Sequence, residues 1–242
     1  MDLGIKKAFI LAGGEGTRLR PITYEIAKPL VPVRGKPVLQ WNLELCSIFG
    51  IEEVVIALGY KHEQIEERFG NGSELGLKIK YNVEEVFLGT AGALKFAEKD
   101  FRSENKFIML NGDECKDIDF VSLNRTFEQN DATAAIALTE IDYTAAGGIV
   151  KTEGEKIVNF DEKPRGEMMG KKMINAGAYI LSPQIFDYIP GAQTISIEKE
   201  TFPKLVAEGK AFALPCVNQF FQTDTFERYE KAIFGWKGFG GI

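Results

Sequence analysis

A glycine-rich segment with nearby cations is the part of this sequence best suited to chemistry. Residues 11–33 read LAGGEGTRLRPITYEIAKPLVPV and follow a short apolar run, residues 8–11, that predicts a buried strand. Glycines at the end of a strand allow a tight turn and bring backbone N–H groups close to an anion. Arg18, Arg20 and Lys28 add fixed positive charge. The segment therefore predicts a binding loop for a polyphosphate.

Two common phosphate motifs do not fit this loop. A P-loop needs Lys-Ser or Lys-Thr after its glycines, and neither dipeptide follows here. A dinucleotide-binding fingerprint needs a third glycine, where Leu19 stands, and an acidic residue about 20 positions further on. The segment after Lys28 offers Arg34 and Lys36 instead. Both motifs are therefore excluded.

An aspartate follows a second predicted buried strand, residues 106–110. The strand leads directly into Asn111-Gly112-Asp113. Ligands of open parallel sheets bind beyond the carboxyl ends of the strands, so we expect Asp113 beside the glycine loop. Mg²⁺ prefers one or two carboxylates together with phosphate oxygens. Asn-Gly-Asp is also a common turn sequence, so a plain turn and a metal ligand are both open.

The elements that must position these residues alternate between strands and helices. Strands are predicted at residues 54–58, 78–81, 106–110, 132–138, 148–151 and 178–181. Helices are predicted at residues 37–49, 61–69, 90–98, 197–208 and 226–234. Repeated β–α units imply an α/β fold with a Rossmann-like mixed, mostly parallel sheet and helices on both faces.

Composition narrows the classes of partner. The chain has 242 residues and a net charge of −6 without a basic run, which argues against nucleic acid. Cys46, Cys115 and Cys216 are unclustered and odd in number, as expected of reduced thiols. Neither a membrane-spanning apolar run nor a signal peptide is predicted. These features favour a cytoplasmic protein and leave a homo-oligomer open.

The string G-G-x-G-T-R-L with a later K-P-L resembles the signature of the sugar-1-phosphate nucleotidylyltransferases. The resemblance implies a nucleotide-diphospho-sugar transferase fold and a single catalytic domain over residues 1–242. Many relatives carry a C-terminal left-handed β-helix, but none is expected here because no hexapeptide repeat follows residue 235. It implies that an NTP and a sugar-1-phosphate give an NDP-sugar and pyrophosphate, with Mg²⁺ as cofactor. The N-G-D triplet matches the metal-binding aspartate of the family, so the resemblance favours Asp113 as a metal ligand. Arg18 would stabilise the triphosphate and the departing pyrophosphate, and Lys28 would hold a phosphate. The nucleotide would also contact Leu11, Ala12, Gly13, Gly14, Gly16 and Thr17.

Later segments resemble the base and sugar elements of the same family, in the same order. Residues 88–92, LGTAG, resemble its base and sugar loop, residues 162–164 its E-K-P element, and residues 175–177 its N-A-G element. Lys163 would meet the sugar phosphate. The other residues implied are Gly89 and Thr90 for the nucleotide, and Gly148, Glu162 and Asn175 for the sugar.

The base is predicted from Glu84, which lies five residues before Gly89. Many uridylyl- or thymidylyltransferases have a glutamine there. A carboxylate can accept both N1–H and N2–H₂ of guanine, which favours GTP. Mannose-1-phosphate is the second substrate that we predict first. Heptose-1-phosphate with GTP, and glucose-1-phosphate with UTP or dTTP, stay open.

One stretch departs from the family pattern. Where the family has a sequence like D-I-G-T-P-E-D-Y, with a second metal aspartate, this chain has residues 222–229, QTDTFERY. Asp224 is the preferred replacement because a carboxylate binds Mg²⁺ more strongly than an amide, and Gln222 is the alternative. The irregular stretch also keeps a second function open: a non-catalytic subunit that binds nucleotide-sugars and regulates a partner.

Overall fold

The computed structural model describes residues 3–142, 148–161, 170–191 and 193–240, which form a mixed α/β structure. The strands are β1 (Lys7–Leu11), β2 (Pro32–Val33), β3 (Lys36–Pro37), β4 (Glu53–Leu58), β5 (Lys78–Val83), β6 (Phe107–Asn111), β7 (Glu114–Ile118), β8 (Ala134–Asp142), β9 (Ile149–Glu153), β10 (Lys156–Asp161), β11 (Lys171–Leu181), β12 (Ala211–Pro215) and β13 (Val217–Gln222). The α-helices are α1 (Ile22–Glu25), α2 (Val38–Ile48), α3 (His62–Phe69), α4 (Gly89–Phe96), α5 (Glu98–Phe101), α6 (Phe120–Gln129), α7 (Phe202–Ala207) and α8 (Phe226–Gly235). Shorter helical turns cover Thr17–Leu19, Lys28–Leu30, Ser73–Leu75, Pro183–Tyr188 and Ile197–Thr201.

The chain divides into two compact units. Unit one comprises Met1–Phe87, Met109–Asp117 and Asn218–Ile242. Unit two comprises Leu88–Ile108 and Ile118–Val217. The single catalytic domain over residues 1–242 stays a prediction.

Unit one is built on a parallel sheet. Its strand order is β5-β4-β1-β6, with β6 contributing the residues from Met109 onward. β1 and β4 pair in parallel from Lys7 with Glu53 to Leu11 with Ala57, and β4 pairs in the same sense with β5. The centre of β1 is fully buried and apolar, as expected of a strand covered on both faces. The loops that follow β1, β4 and β5 therefore leave the same edge of the sheet.

Unit two is dominated by antiparallel pairs. Its strand order is β11-β8-β12-β10-β9, and of these neighbours only β12 and β8 run parallel. β9 and β10 form a hairpin whose turn contains Gly154 at φ +61°. The predicted α/β fold is confirmed, and unit two has one parallel pair, β12 with β8, among antiparallel neighbours.

Helix ends follow local signals in most cases. α2 begins after Pro37 and ends just before Gly50, whose φ is +77°, close to the predicted residues 37–49. The predicted helix at residues 197–208 is a π-helical turn followed by α7. α6 was not predicted from the sequence, although Asp119 caps it by accepting from the backbone N–H of Ser122 (3.0 Å).

The cysteines are free, as predicted. Cys46, Cys115 and Cys216 are all buried, and burial raises the pKa of each thiol to about 12. Among the described segments, every helix is too short or too polar to span a lipid bilayer.

Candidate functional site

Close backbone contacts shape the start of the glycine-rich loop. The N–H of Ala12 donates to the carbonyl oxygen of Ala57 (2.9 Å), and that of Tyr60 donates to the carbonyl oxygen of Gly13 (3.4 Å). A Cβ at Gly13 would lie 3.2 Å from the nitrogen of Gly59. Glycine is therefore favoured at Gly13 because the chain leaving β4 passes directly against it.

The next glycines serve different purposes. Gly16 has φ +65°, and a Cβ there would lie 2.8 Å from Cβ of Lys28. Thr23 Oγ1 donates to the carbonyl oxygen of Gly16 (2.8 Å), which fixes this approach. Gly14, in contrast, is exposed and a Cβ there would meet nothing within 4 Å. The loop thus brings Lys28 to Gly16 and leaves the backbone at Gly14 and Thr17 open to a ligand.

Asp113 is held at the end of β1 by the turn that follows β6. The N–H of Gly112 donates to the carbonyl oxygen of Leu11 (2.8 Å). A Cβ at Gly112 would lie 2.8 Å from both Ile10 Cγ2 and that oxygen, so glycine is required. The ammonium of Lys28, a residue only 8% exposed, forms an ion pair with the Asp113 carboxylate. The structure therefore places Asp113, Lys28 and the glycine loop together.

A second, fully buried lysine supports the same turn. Lys116 Nζ donates to the carbonyl oxygen of Asn111 (3.0 Å) and to Glu114 Oε2 (2.9 Å). Burial alone would raise the pKa of Asp113, but Lys28 and then Lys116 outweigh burial and hold that pKa below its usual range. Burial raises the pKa of Glu114 against the opposing charge of Lys116. Asp113 is therefore an ionised carboxylate at neutral pH.

Asp224, in the turn between β13 and α8, pairs with two arginines. Arg18 Nη2 lies 2.8 Å from Asp224 Oδ2. Arg228 Nη1 lies 2.9 Å from each of the two Asp224 carboxylate oxygens. The preceding residue, Thr223, donates from Oγ1 to the carbonyl oxygen of Asp113 (2.8 Å). The two turns that carry Asp113 and Asp224 are thus hydrogen-bonded to each other.

Glu84 lies at the carboxyl edge of the same parallel sheet. It directly follows β5, and its N–H donates to the carbonyl oxygen of Leu58 (2.8 Å). Its side chain is half-buried. Its role toward a base stays a prediction.

The small residues after Leu88 are packed within unit two. A Cβ at Gly89, whose φ is +70°, would lie 2.6 Å from the carbonyl oxygen of Ile195. Thr90 Oγ1 donates to Glu198 Oε2 (2.8 Å) and accepts from the N–H of Ile197 (2.7 Å). Part of the reason for small residues here is therefore contact with the protein's own backbone. Nucleotide binding by Gly89 and Thr90 stays a prediction.

Asn175 closes an irregularity in β11. The register of β11 with β8 shifts between Asn175 and Tyr179. The side chain of Asn175 spans this shift: its Oδ1 accepts from the N–H of Gly177 (2.9 Å), and its Nδ2 donates to the Tyr179 hydroxyl (2.7 Å). The N–H of Asn175 donates to the carbonyl oxygen of Gly148 (3.1 Å), so these two sugar-site candidates are adjacent. Glu162 and Lys163 lie outside the described residues.

Sequence reasoning did not single out Glu114, Lys116 or Arg228. Glu114 and Lys116 are two positions apart in β7, so they share one face of the strand. That spacing is equally typical of a solvated edge strand, and only tertiary placement makes the pair a buried one. Arg228 lies one helical turn after Asp224, an i, i+4 spacing that would have indicated their ion pair.

The donor set fits a cation that takes few protein ligands. Among the described residues, no group of three or more His, Cys, Asp or Glu is placed to hold a metal ion. Asp113 offers one ionised, partly exposed carboxylate beside the phosphate loop. Mg²⁺ is commonly held in this way, with phosphate oxygens and water completing its shell. Asp224 fits less directly because both of its oxygens are paired with guanidinium groups.

Comparisons with known proteins agree on one family. A model of the family described as nucleotidyl transferase matches residues 7–240. A mannose-1-phosphate guanyltransferase from Yarrowia lipolytica is 39% identical over 211 residues, covering 86% of this chain and 57% of that protein. A UTP–glucose-1-phosphate uridylyltransferase from Synechocystis is 35% identical over 219 residues, covering 85% of this chain and 56% of that protein.

A solved structure shares the fold over nearly its whole length. HddC from Yersinia pseudotuberculosis, complexed with GMP-PN, superposes with a TM-score of 0.77 at 30% identity, covering 95% of this chain and 98% of that one. The chain spans about half the length of the curated relatives it matches, 56–57% for the two above. With a family match over residues 7–240 and relatives above one-third identity, the chain belongs to the nucleotidyl transferase family, among the sugar-1-phosphate nucleotidylyltransferases.

Proposed function

We propose that this chain transfers a nucleotidyl group from an NTP to a sugar-1-phosphate, giving an NDP-sugar and pyrophosphate. The arrangement in unit one carries the proposal. An open backbone at Gly14, the buried ammonium of Lys28 and the ionised carboxylate of Asp113 lie at the end of one parallel strand. Arg18 extends from the same loop. Such a set can hold a triphosphate and neutralise the charge that builds on it.

The chemical step needs alignment and charge neutralisation. A phosphate oxygen of the sugar-1-phosphate forms a bond to the α-phosphorus of the NTP. The bond from that phosphorus to the oxygen bridging the α- and β-phosphates breaks. Its electron pair leaves with pyrophosphate. The attacking oxygen is already anionic at neutral pH, so no general base is required. The single histidine, His62, is paired with Glu66 (2.8 Å) and is given no role.

Each predicted site residue has a proposed part in this step. Arg18 stabilises the triphosphate and the departing pyrophosphate, Lys28 holds a phosphate, and Lys163 orients the attacking phosphate. Mg²⁺ supplies charge neutralisation at the phosphates when bound. Asp113 holds it, with Asp224 as second ligand or Gln222 in its place. The backbone from Leu11 to Thr17 binds the nucleotide phosphates.

Base and sugar contacts complete the proposal. Glu84 recognises guanine, with Gly89 and Thr90 also on the nucleotide, while Gly148, Glu162 and Asn175 contact the sugar. GTP with mannose-1-phosphate is the favoured pair. The names of the guanylyltransferase relatives and the GMP-PN bound to HddC support guanine. The uridylyltransferase relative keeps glucose-1-phosphate with UTP or dTTP as an alternative pair, beside heptose-1-phosphate with GTP.

A matrix of the common NTPs against sugar-1-phosphates, read by pyrophosphate release, tests the function. We expect release with a single favoured pair and its near loss in Lys28→Met. Arg20→Gln is the matched control, since Arg20 is an exposed cation of the same loop that pairs with Glu15 (3.3 Å) and lies over the ring of Tyr24. Equal loss in both variants would mean that Lys28 has no special place at the phosphates.

A second function is favoured by one observation. Asp224, the preferred second metal ligand, is neutralised by two arginines. A protein that binds nucleotide-sugars without turning them over, and regulates a partner, would tolerate this. Calorimetric binding of a nucleotide-sugar together with no pyrophosphate release from any substrate pair would establish that function instead.

A further inference from the structure

The two ion pairs of Asp224 are unequal. Arg228 uses Nη1 on both carboxylate oxygens, lies on α8, and its side chain is 24% exposed. Arg18 contacts one oxygen, and its side chain is 65% exposed. An exposed single-oxygen pair with a long side chain is worth little in water, whereas a two-oxygen, half-buried pair is held more firmly. Arg18 is therefore the partner that leaves first.

Asp224 has two supports besides Arg18. Its side chain is only 13% exposed, and Thr223 before it is fully buried. The hydrogen bond from Thr223 Oγ1 to the carbonyl oxygen of Asp113 ties this turn to the one that carries the proposed cation ligand. The carboxylate is thus fixed from two sides, by Thr223 through the backbone and by Arg228 through the side chain.

We propose that Asp224 exchanges partners: it holds Arg18 in the unliganded chain and turns to a divalent cation once a triphosphate has drawn Arg18 away. Arg228 is the positioning residue that keeps the carboxylate in place during the exchange. This inference rests on the proposed function. With both arginines bound, the cluster carries a net positive charge and repels a cation. With Arg18 removed, the charges of Arg228 and Asp224 cancel, and the repulsion of a cation ends. Nucleotide binding therefore precedes full cation binding.

Cation affinity without nucleotide tests the exchange directly. Mn²⁺ is titrated into the purified chain and followed by electron paramagnetic resonance. Arg18→Gln is expected to bind Mn²⁺ about three- to fivefold more tightly than wild type, the size expected when a partly exposed ion pair no longer competes. Arg20→Gln loses the same charge from the same loop and is expected to match wild type. The gain should vanish in Arg18→Gln/Asp224→Asn. Equal gains in Mn²⁺ affinity in Arg18→Gln and Arg20→Gln, or a gain that persists in Arg18→Gln/Asp224→Asn, would overturn the proposed exchange.

The role of Arg228 is tested by whether its substitution strengthens or weakens Mn²⁺ binding. In the Arg18→Gln background, loss of another positive charge would by itself strengthen Mn²⁺ binding. A positioning role predicts the opposite: Arg228→Ala weakens Mn²⁺ binding and Arg228→Lys restores part of it. Thermal unfolding of each variant checks that the fold is retained. Tighter binding in Arg228→Ala would rule out positioning by Arg228.

The triphosphate side of the exchange is measured in EDTA. Asp224→Asn removes the competitor for Arg18, so GTP should bind about threefold more tightly than to wild type, again the scale of an exposed ion pair. Glu227→Gln removes an equal charge from an exposed ion pair of α8 outside the glycine loop, and GTP should bind to it as it does to wild type. Unchanged or weaker GTP binding in Asp224→Asn would overturn the exchange. Neither titration requires turnover, so an inactive chain with intact exchange and an active chain without it are told apart.

Discussion

The glycine-rich loop of unit one and residues 88–92 of unit two look alike in sequence but use their glycines differently. A Cβ at Gly14 in unit one would meet nothing within 4 Å. A Cβ at Gly92 in unit two would lie 2.0 Å from the carbonyl oxygen of Gln193, and one at Gly89 would lie 2.6 Å from that of Ile195. The glycine-rich loop keeps an open position at Gly14, although the chain itself crowds Gly13 and Gly16, whereas both glycines of residues 88–92 are crowded by backbone. A cluster of glycines thus indicates a close approach without saying by what.

The largest effect is expected from filling the closed loop. Gly92→Ala should lower the free energy of unfolding by about 3 kcal/mol, because the new methyl group must displace a backbone carbonyl. Urea denaturation measures the loss. Gly14→Ala is the matched control and should stay within about 0.5 kcal/mol of wild type, since its surroundings are open. Similar losses in both variants would erase the distinction between the loops.

The next largest effect concerns chemistry beside the open loop. Asp113→Asn should lower kcat by roughly a hundredfold, because charge neutralisation at the phosphates is weakened. Asp119→Asn makes the same chemical change at the cap of α6 in unit two, where asparagine also caps well. Steady-state kinetics with the favoured substrate pair should show an unchanged kcat for that control. Near-normal turnover of Asp113→Asn with Mg²⁺ would remove the metal assignment.

Base selection should respond to Glu84 at the edge of the unit one sheet. Glu84→Gln should erode the preference for GTP over UTP and dTTP by roughly 1–3 kcal/mol, the cost of a mismatched hydrogen bond. The ratio of kcat/KM values measures it. Glu85→Gln, at an exposed neighbouring position, should leave the ratio unchanged. A wild-type chain that used UTP or dTTP best would contradict the guanine prediction and leave the family assignment intact.

The smallest effect is a dependence of stability on acid. Burial alone would raise the pKa of Asp113, but the positive charges of Lys28 and Lys116 hold that pKa below its ordinary value. The Asp113 carboxylate therefore takes up a proton more readily in the unfolded chain than in the folded one. Its contribution to the free energy of unfolding is present above about pH 4 and is lost as the pH falls through the pKa of Asp113 in the folded chain. Asp113 is partly exposed, so the loss should be about 1 kcal/mol or less. Urea denaturation between neutral pH and pH 3 should show it in wild type and less of it in Asp113→Asn. An equal acid dependence in both would assign it to other groups.

The sequence predicted what depends on local pattern. Buried strands, the glycine loop after β1 and the turn at Asp113 all follow from runs of apolar residues and the glycines that end them. α6 was missed although its signals are local: Asp119 caps it, and its buried Phe120, Leu123 and Phe127 have the spacing of one helix face. The close approach of the Gln193 carbonyl oxygen to Gly92 could not be predicted, since the two residues are far apart in the sequence.

Charged partners show the same limit. The i, i+4 spacing of Asp224 and Arg228 is visible in the sequence, but the contact with Arg18 joins residues far apart in the chain. Lys116 looks like a surface residue of an edge strand and is fully buried instead. Local spacing predicts which groups can meet, and tertiary packing decides which of them lose water.

The buried cysteines make the chain convenient for spectroscopy. A thiol with a pKa of about 12 is almost wholly protonated at neutral pH and reacts poorly with maleimides, and the three native cysteines are all of this kind. A new cysteine at an exposed position, such as Phe234→Cys where the side chain is 80% exposed, would be labelled in preference. A fluorophore attached there, on the helix that carries Arg228, could be installed without first replacing any native residue.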